Sequence, residues 1–119
     1  MKKLALLSGL LLLSLQSCVV EVNENNTGGN YYYSCIDEEI DYFASHLACI
    51  HNAKVDKYIY QGETVYAFFP GGCTNGERTE VFTQNCYSLG FLGGVHNNEY
   101  INGTHFYSHA NFISTVWAN

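Results

Sequence analysis

Three distinct hydrophobic patterns run along the chain, and each predicts a different kind of element. Residues 4–15 are apolar apart from Ser8, Gly9 and Ser14 and follow the basic Met1-Lys2-Lys3. That is the core of an export signal, too short to cross a bilayer comfortably. Next, Ile36, Ile40, Phe43, Leu47 and Ile50 recur at steps of four and three, which places them on one face of a helix. Ser34-Cys35-Ile36-Asp37 has the form of a capping box, and Asp37, Glu38 and Glu39 put negative charge at the positive end of that helix. Asn52 is the expected terminator.

The third pattern is extended. Residues 55–60 and 64–69 are rich in β-branched and aromatic side chains and flank Gln61-Gly62-Glu63, which predicts a hairpin. Pro70-Gly71-Gly72 should end its second strand, Asn75-Gly76 should turn the chain, and residues 80–84 should form a third strand. Residues 90–103 are Gly- and Asn-rich with low regularity, and residues 112–117 have the composition of a final strand. The expected fold class is α+β: one N-terminal helix packed on a small antiparallel sheet and stabilised by disulfides.

The signal ends in Leu15-Gln16-Ser17-Cys18, which resembles the lipobox of bacterial lipoproteins. The resemblance implies that Cys18 receives a diacylglyceryl thioether, becomes the first mature residue and is acylated on its new amine, with palmitate-type chains. Each buried methylene contributes about 0.8 kcal/mol, so three chains would hold the protein on a membrane without any helix. Residues 19–34 are polar and aperiodic and read as a flexible tether spanning roughly 20 to 25 Å; Tyr31, Tyr32 and Tyr33 at its end are expected to pack at the domain edge. The organisation is therefore a signal peptide at 1–17, a lipidated cysteine and tether at 18–34, and one domain at 35–119.

Charge narrows the partners. Beyond Cys18 only Lys54, Lys57 and Arg78 oppose eleven acids, a net charge of −8, which disfavours nucleic acid and anionic membrane surfaces. The cysteines change the picture more. With Cys18 lipidated, Cys35, Cys49, Cys73 and Cys86 form an even set in an oxidising compartment, where disulfides are expected. Along an unbroken helix Cys35 and Cys49 would stand roughly 21 Å apart, far beyond the ~7 Å limit of a bridge. Two connectivities remain, and both tie the helix to the segment of Cys73 and Cys86.

Cys35-Ile36 opening a helix, the Tyr-rich run from Lys57 to Tyr66, Cys73, Val81-Phe82, Cys86 and Val116-Trp117 together resemble a family of small uncharacterised Bacteroidota lipoproteins, known only as a domain of unknown function. The resemblance covers about residues 35–117 and implies no activity. The chain has Gly72-Cys73-Thr74 where the family has Cys-Cys-Asp, and residues 90–103 lack the family's further cysteine.

Candidate chemistry is sparse. Cys73 beside Gly71-Gly72 invites a nucleophile reading, but no histidine adjoins it in sequence and a structural disulfide accounts for it. His105 and His109, with His96 as a third ligand, are the candidates for a metal centre, which would make a small metal-dependent hydrolase. His46 and His51 are five apart and point away from each other. The acids of residues 37–41 are explained by capping, and the two glycosylation-type sequons at Asn25 and Asn102 by chance. Tyr58, Tyr60 and Tyr66 of the hairpin are the candidates for a binding face, although sheet packing is the more ordinary use of such residues. Residues 70–85, pinned by cysteines, would be the loop of an enzyme inhibitor. The expectation is a non-enzymatic lipoprotein without a cofactor, held to the bilayer of the bacterial cell envelope, at the outer membrane, and binding an envelope protein or glycan.

Overall fold

The computed structural model of the protein describes residues 33–73 and 76–119. The expected signal peptide, Cys18, the tether with Tyr31 and Tyr32, and Asn75 of the expected turn lie outside these residues. The described part is mostly antiparallel β-sheet with one helix of some length and two disulfides.

Helix α1 spans Cys35–His46 and opens on the expected capping box. The Ser34 hydroxyl accepts from the Asp37 N–H at 3.4 Å, and the Asp37 carboxylate accepts from the Ser34 N–H at 3.0 Å. The helix ends a turn earlier than the apolar stripe predicts. Leu47 and Ala48 both donate to the Phe43 carbonyl, and the Cys49 N–H leaves the helix for the Pro70 carbonyl at 2.8 Å. Departure at this point brings Cys49 to Cys73. It also leaves Leu47 and Ile50 54% and 84% exposed, so that Ile36 and Phe43 alone are the buried residues of α1. Asn52 does adopt a left-handed conformation, but well past the helix end.

The strands are β1 (Lys54–Tyr60), β2 (Glu63–Phe69), β3 (Arg78–Thr83), β4 (Ser88–Gly93), β5 (Tyr100–Ile101), β6 (Thr104–His105) and β7 (Ala110–Ala118), with a single-turn helix α2 (Phe106–His109) before the last. Five of them form one sheet in the order β4-β3-β2-β1-β7, and β5 pairs with β6. Gln61-Gly62 and Asn102-Gly103 both hold two successive positive φ angles, 51° and 80°, then 48° and 78°. That is the backbone of the two-residue hairpin loop whose twist matches the strands it joins. Asn102-Gly103 is thus a turn signal, and the irregular stretch expected at 90–103 instead contains most of β4, a tight turn and β5.

Strand register sorts the side chains between two faces. Val55 pairs with Phe68 and Trp117, and Tyr66 with Phe82, so these five share one side, the helix face. Tyr58 pairs with Val65 and Phe112, Ala67 with Val81, and Thr79 with Leu92, forming the opposite side. There the chain from β5 to α2 folds back as a lid. Ile101 and Phe106, 2% and 0% exposed, close over Tyr60, Val65, Ala67, Val81 and Leu92.

The helix face is built differently. Instead of a helix layered along the sheet, Phe43 stands edge-on to Phe68 and Trp117, with ring centroids 5.3 and 5.7 Å apart. Ile40 and Ala48 pack beside it, and two disulfides add covalent attachment. Cys35 is bonded to Cys86, in the β3–β4 connection, and Cys49 to Cys73, after β2. Of the two connectivities left open by spacing, this is the one the structure holds. At Gly71 (φ 91°) the backbone comes so near residues 51–53 that a Cβ would lie 2.6 Å from the His51 carbonyl, so this position has no room for a side chain.

Candidate functional site

Because α1 touches the sheet at few points, a groove of about 370 Å³ remains between it and strands β3 and β4. That volume falls within the usual range for small-ligand sites. Glu39, Tyr42, Phe43 and Leu47 of the helix segment form one wall. Phe68 and Pro70 lie at the floor, both buried. Gly76 and Glu77, with Arg78, Glu80 and Phe82 of β3 and Phe91 of β4, form the opposite wall.

Strand period explains the polar row on this wall. Arg78, Glu80 and Phe82 alternate with the inward Thr79 and Val81, so all three project on the helix face, and Glu80 is paired with both Phe68 and Phe91. The Arg78 guanidinium lies 4.4 Å from the Phe91 ring centroid, a cation–π contact. Glu39 and Glu80 are half-buried, and their carboxylates make no hydrogen bond or ion pair among the described residues. Aromatic rings, an aliphatic edge and two uncommitted carboxylates therefore line one concave surface.

The expected site residues lie elsewhere. Tyr58, Tyr60 and Tyr66 do not form one binding face, because the hairpin register sends Tyr66 to the helix face and the other two to the opposite side. Tyr60 is buried at 5% exposure, and Tyr58 packs edge-on against Phe106 and Phe112. Burial, followed by the charge of Asp56 and the neighbouring Tyr107, raises the Tyr58 hydroxyl above its ordinary pKa. Burial also raises Tyr107, with Glu99 the next largest influence.

Histidines 96, 105 and 109 do not assemble into a ligand set. His105 caps α2, its Nδ1 accepting from the Ser108 N–H at 3.1 Å while its Nε2 lies 3.2 Å from a Glu99 oxygen. The Ser108 hydroxyl is also 2.8 Å from Nδ1, so a Ser-His-Glu sequence of contacts exists. It is local to the cap, with the amide and the hydroxyl of one residue both directed at the same ring nitrogen. His109 turns back to the His105 carbonyl at 2.9 Å, and His96 is exposed. Among the described residues one group, Cys49, Cys73 and Glu77, has three metal-type ligand atoms within 4.8 Å of one another. Its two sulfurs are joined to each other, which removes the thiolates a metal would need. The expected inhibitor loop at 70–85 contains strand β3 (Arg78–Thr83).

The groove was not foreseen, although two of its features were visible. The Arg78-x-Glu80-x-Phe82 alternation marks a strand face with charge on it, and Leu47 belongs to the helical stripe. What joins them is the sheet order, which no local pattern encodes.

A domain-of-unknown-function family, DUF6970, matches residues 44–119, more than half of the chain. The chain belongs to this family. Neither a curated protein nor a solved structure matches it. The DUF6970 match takes in all seven strands and the β wall of the groove, whereas Glu39, Tyr42 and Phe43 of the helix wall precede it.

Proposed function

We propose that this DUF6970 protein is an exported binding module of the bacterial envelope, anchored by acyl chains on Cys18 and presenting the groove beside α1 to a partner. The anchor rests on the lipobox of residues 15–18 and the basic-apolar run before it. The resemblance to Bacteroidota lipoproteins points to the outer membrane. The binding role rests on one observation above the others: the groove leaves Tyr42 and Phe91 exposed and holds two half-buried carboxylates with no partner among the described residues, where a purely structural face would be filled.

Both halves are testable. Cys18→Ala should abolish labelling by a fatty-acid probe and partition into detergent; labelling that persists ends the anchor reading. For the groove, a photo-reactive phenylalanine analogue placed at Tyr42 should give discrete adducts in living cells, and the same group at Tyr107, on the opposite side, should not. Adducts from Tyr107 with none from Tyr42 would move the binding surface elsewhere.

A further inference from the structure

The groove's chemistry narrows its occupant. From the pairing of aromatic rings with carboxylates that have no partner among the described residues, we infer that the groove takes a basic side chain, lysine or arginine, of a protein partner; this rests on the groove being the binding surface. Three properties converge on a cation. Glu39 from the helix and Glu80 from β3 reach the groove from opposite walls, each half-buried and neither neutralised among the described residues. A partly desolvated carboxylate gains most from a partner that brings positive charge and N–H donors together. The aromatic faces suit the same group, and the protein already shows it: Arg78 lies over Phe91 at 4.4 Å.

The apolar part of the groove suits the stem. Lysine and arginine bury their methylenes along apolar surface while the charged end seeks a polar one. Here Leu47, Phe68 and Phe82 offer the apolar track, and the carboxylates stand along the same walls. The field of the whole chain acts in the same direction, since a net charge of −6 attracts cationic partners and repels acidic ones. A neutral glycan would leave both carboxylates unanswered.

The test uses the mature chain with its disulfides intact, followed by amide NMR shifts. The probes are an acetylated, amidated tripeptide Gly-Lys-Gly, its uncharged counterpart with norleucine for lysine, and tetramethylammonium as a free organic cation. The lysine peptide should shift residues of α1 and β3 saturably and bind at least tenfold tighter than the norleucine peptide. Tetramethylammonium, lacking a stem and N–H donors, should bind more weakly than the lysine peptide. Glu80→Gln and Glu39→Gln should each weaken the lysine peptide about fivefold, while Glu63→Gln, outside the groove, should not.

Equal binding of the two peptides in the groove would overturn the preference for a cation and leave the groove as a binding surface. Tetramethylammonium binding as tightly as the lysine peptide would overturn a protein side chain as the occupant. Absence of any lysine-peptide shift in the groove, with Tyr42 adducts still forming in cells, would likewise reject the basic side chain and spare the binding reading.

Discussion

The two sides of the sheet are held by different means. On one, Ile101 and Phe106 descend into a cluster containing five of the six largest fully buried side chains. On the other, α1 sends Phe43 down to Phe68 and Trp117, and disulfides fasten the segment near its start and just beyond its end. The lid is held by packing, with a cavity of about 330 Å³ left beside it among Tyr60, Val65, Leu89, Ile101 and Thr104. A helix segment clamped covalently can stand away from the sheet and leave a groove. For a small domain with limited apolar surface, cross-links are a common substitute for core.

Removing the clamps should therefore have the largest effect, and it should fall first on the helix side. The Cys35–Cys86 bridge separates residues 51 apart and Cys49–Cys73 residues 24 apart. On the chain-entropy account these contribute roughly 4 and 3.5 kcal/mol, against a typical total of about 5–15 kcal/mol. The Cys35→Ala/Cys86→Ala pair should lower the urea midpoint more than Cys49→Ala/Cys73→Ala, and reduction of both bridges should lower it most. A larger loss from the shorter loop would contradict the clamp ranking.

Packing can be compared directly by truncating one ring on each side. Phe106→Ala, at a site 0% exposed, should destabilise the domain by about 3–5 kcal/mol. Phe91→Ala, at the groove and 39% exposed, should cost about 1 kcal/mol or less, mainly through its contact with Arg78. Equal midpoints for the two variants in urea denaturation would erase the contrast between the sides.

The lid side also carries a buried charge. Asp56, 4% exposed, accepts from the Thr115 hydroxyl at 2.6 Å and pairs with Lys54. Thr115→Val removes one of these partners and should cost about 1–3 kcal/mol. An unchanged midpoint would show that Lys54 alone satisfies the carboxylate.

The smallest effect is expected in alkali. Tyr58 and Tyr107 have folded pKa values raised above their ordinary 10.0, so the native state holds these protons more tightly than the unfolded chain. The associated stability is complete below pH 10 and is lost as pH rises through the folded values. Tyr58→Phe should flatten the decline in melting temperature above pH 10. A decline of undiminished slope in both Tyr58→Phe and Tyr107→Phe would assign it to other groups.

Local signals in the sequence carried the capping box at Ser34, the hairpin around Gln61-Gly62 and the approximate positions of β3 and β7, because each depends on neighbouring residues. Three features were not legible for physical reasons. The helix end depends on Cys49 bonding to Pro70 and Cys73, contacts made across the fold. Ile101 and Phe106 are isolated apolar residues in polar surroundings, so no periodicity marked them as core. Whether Tyr58 and Tyr60 pack or face a partner stayed open, because a sheet with apolar residues on both faces leaves alternation uninformative. The groove required the sheet order and the bridge pattern together, and neither follows from spacing.

The central claim is that α1 is held by clamps and the opposite side by packing. Trp117, the single tryptophan, contacts Phe43 and so reports on the helix side, while far-ultraviolet ellipticity reports on the backbone as a whole. In urea the two signals should change together in the disulfide-intact protein. In the Cys35→Ala/Cys86→Ala variant the Trp117 transition should move to lower urea than the ellipticity. Coincident transitions in that variant, displaced by the same amount, would show that α1 and the sheet form one cooperative core and would contradict the account.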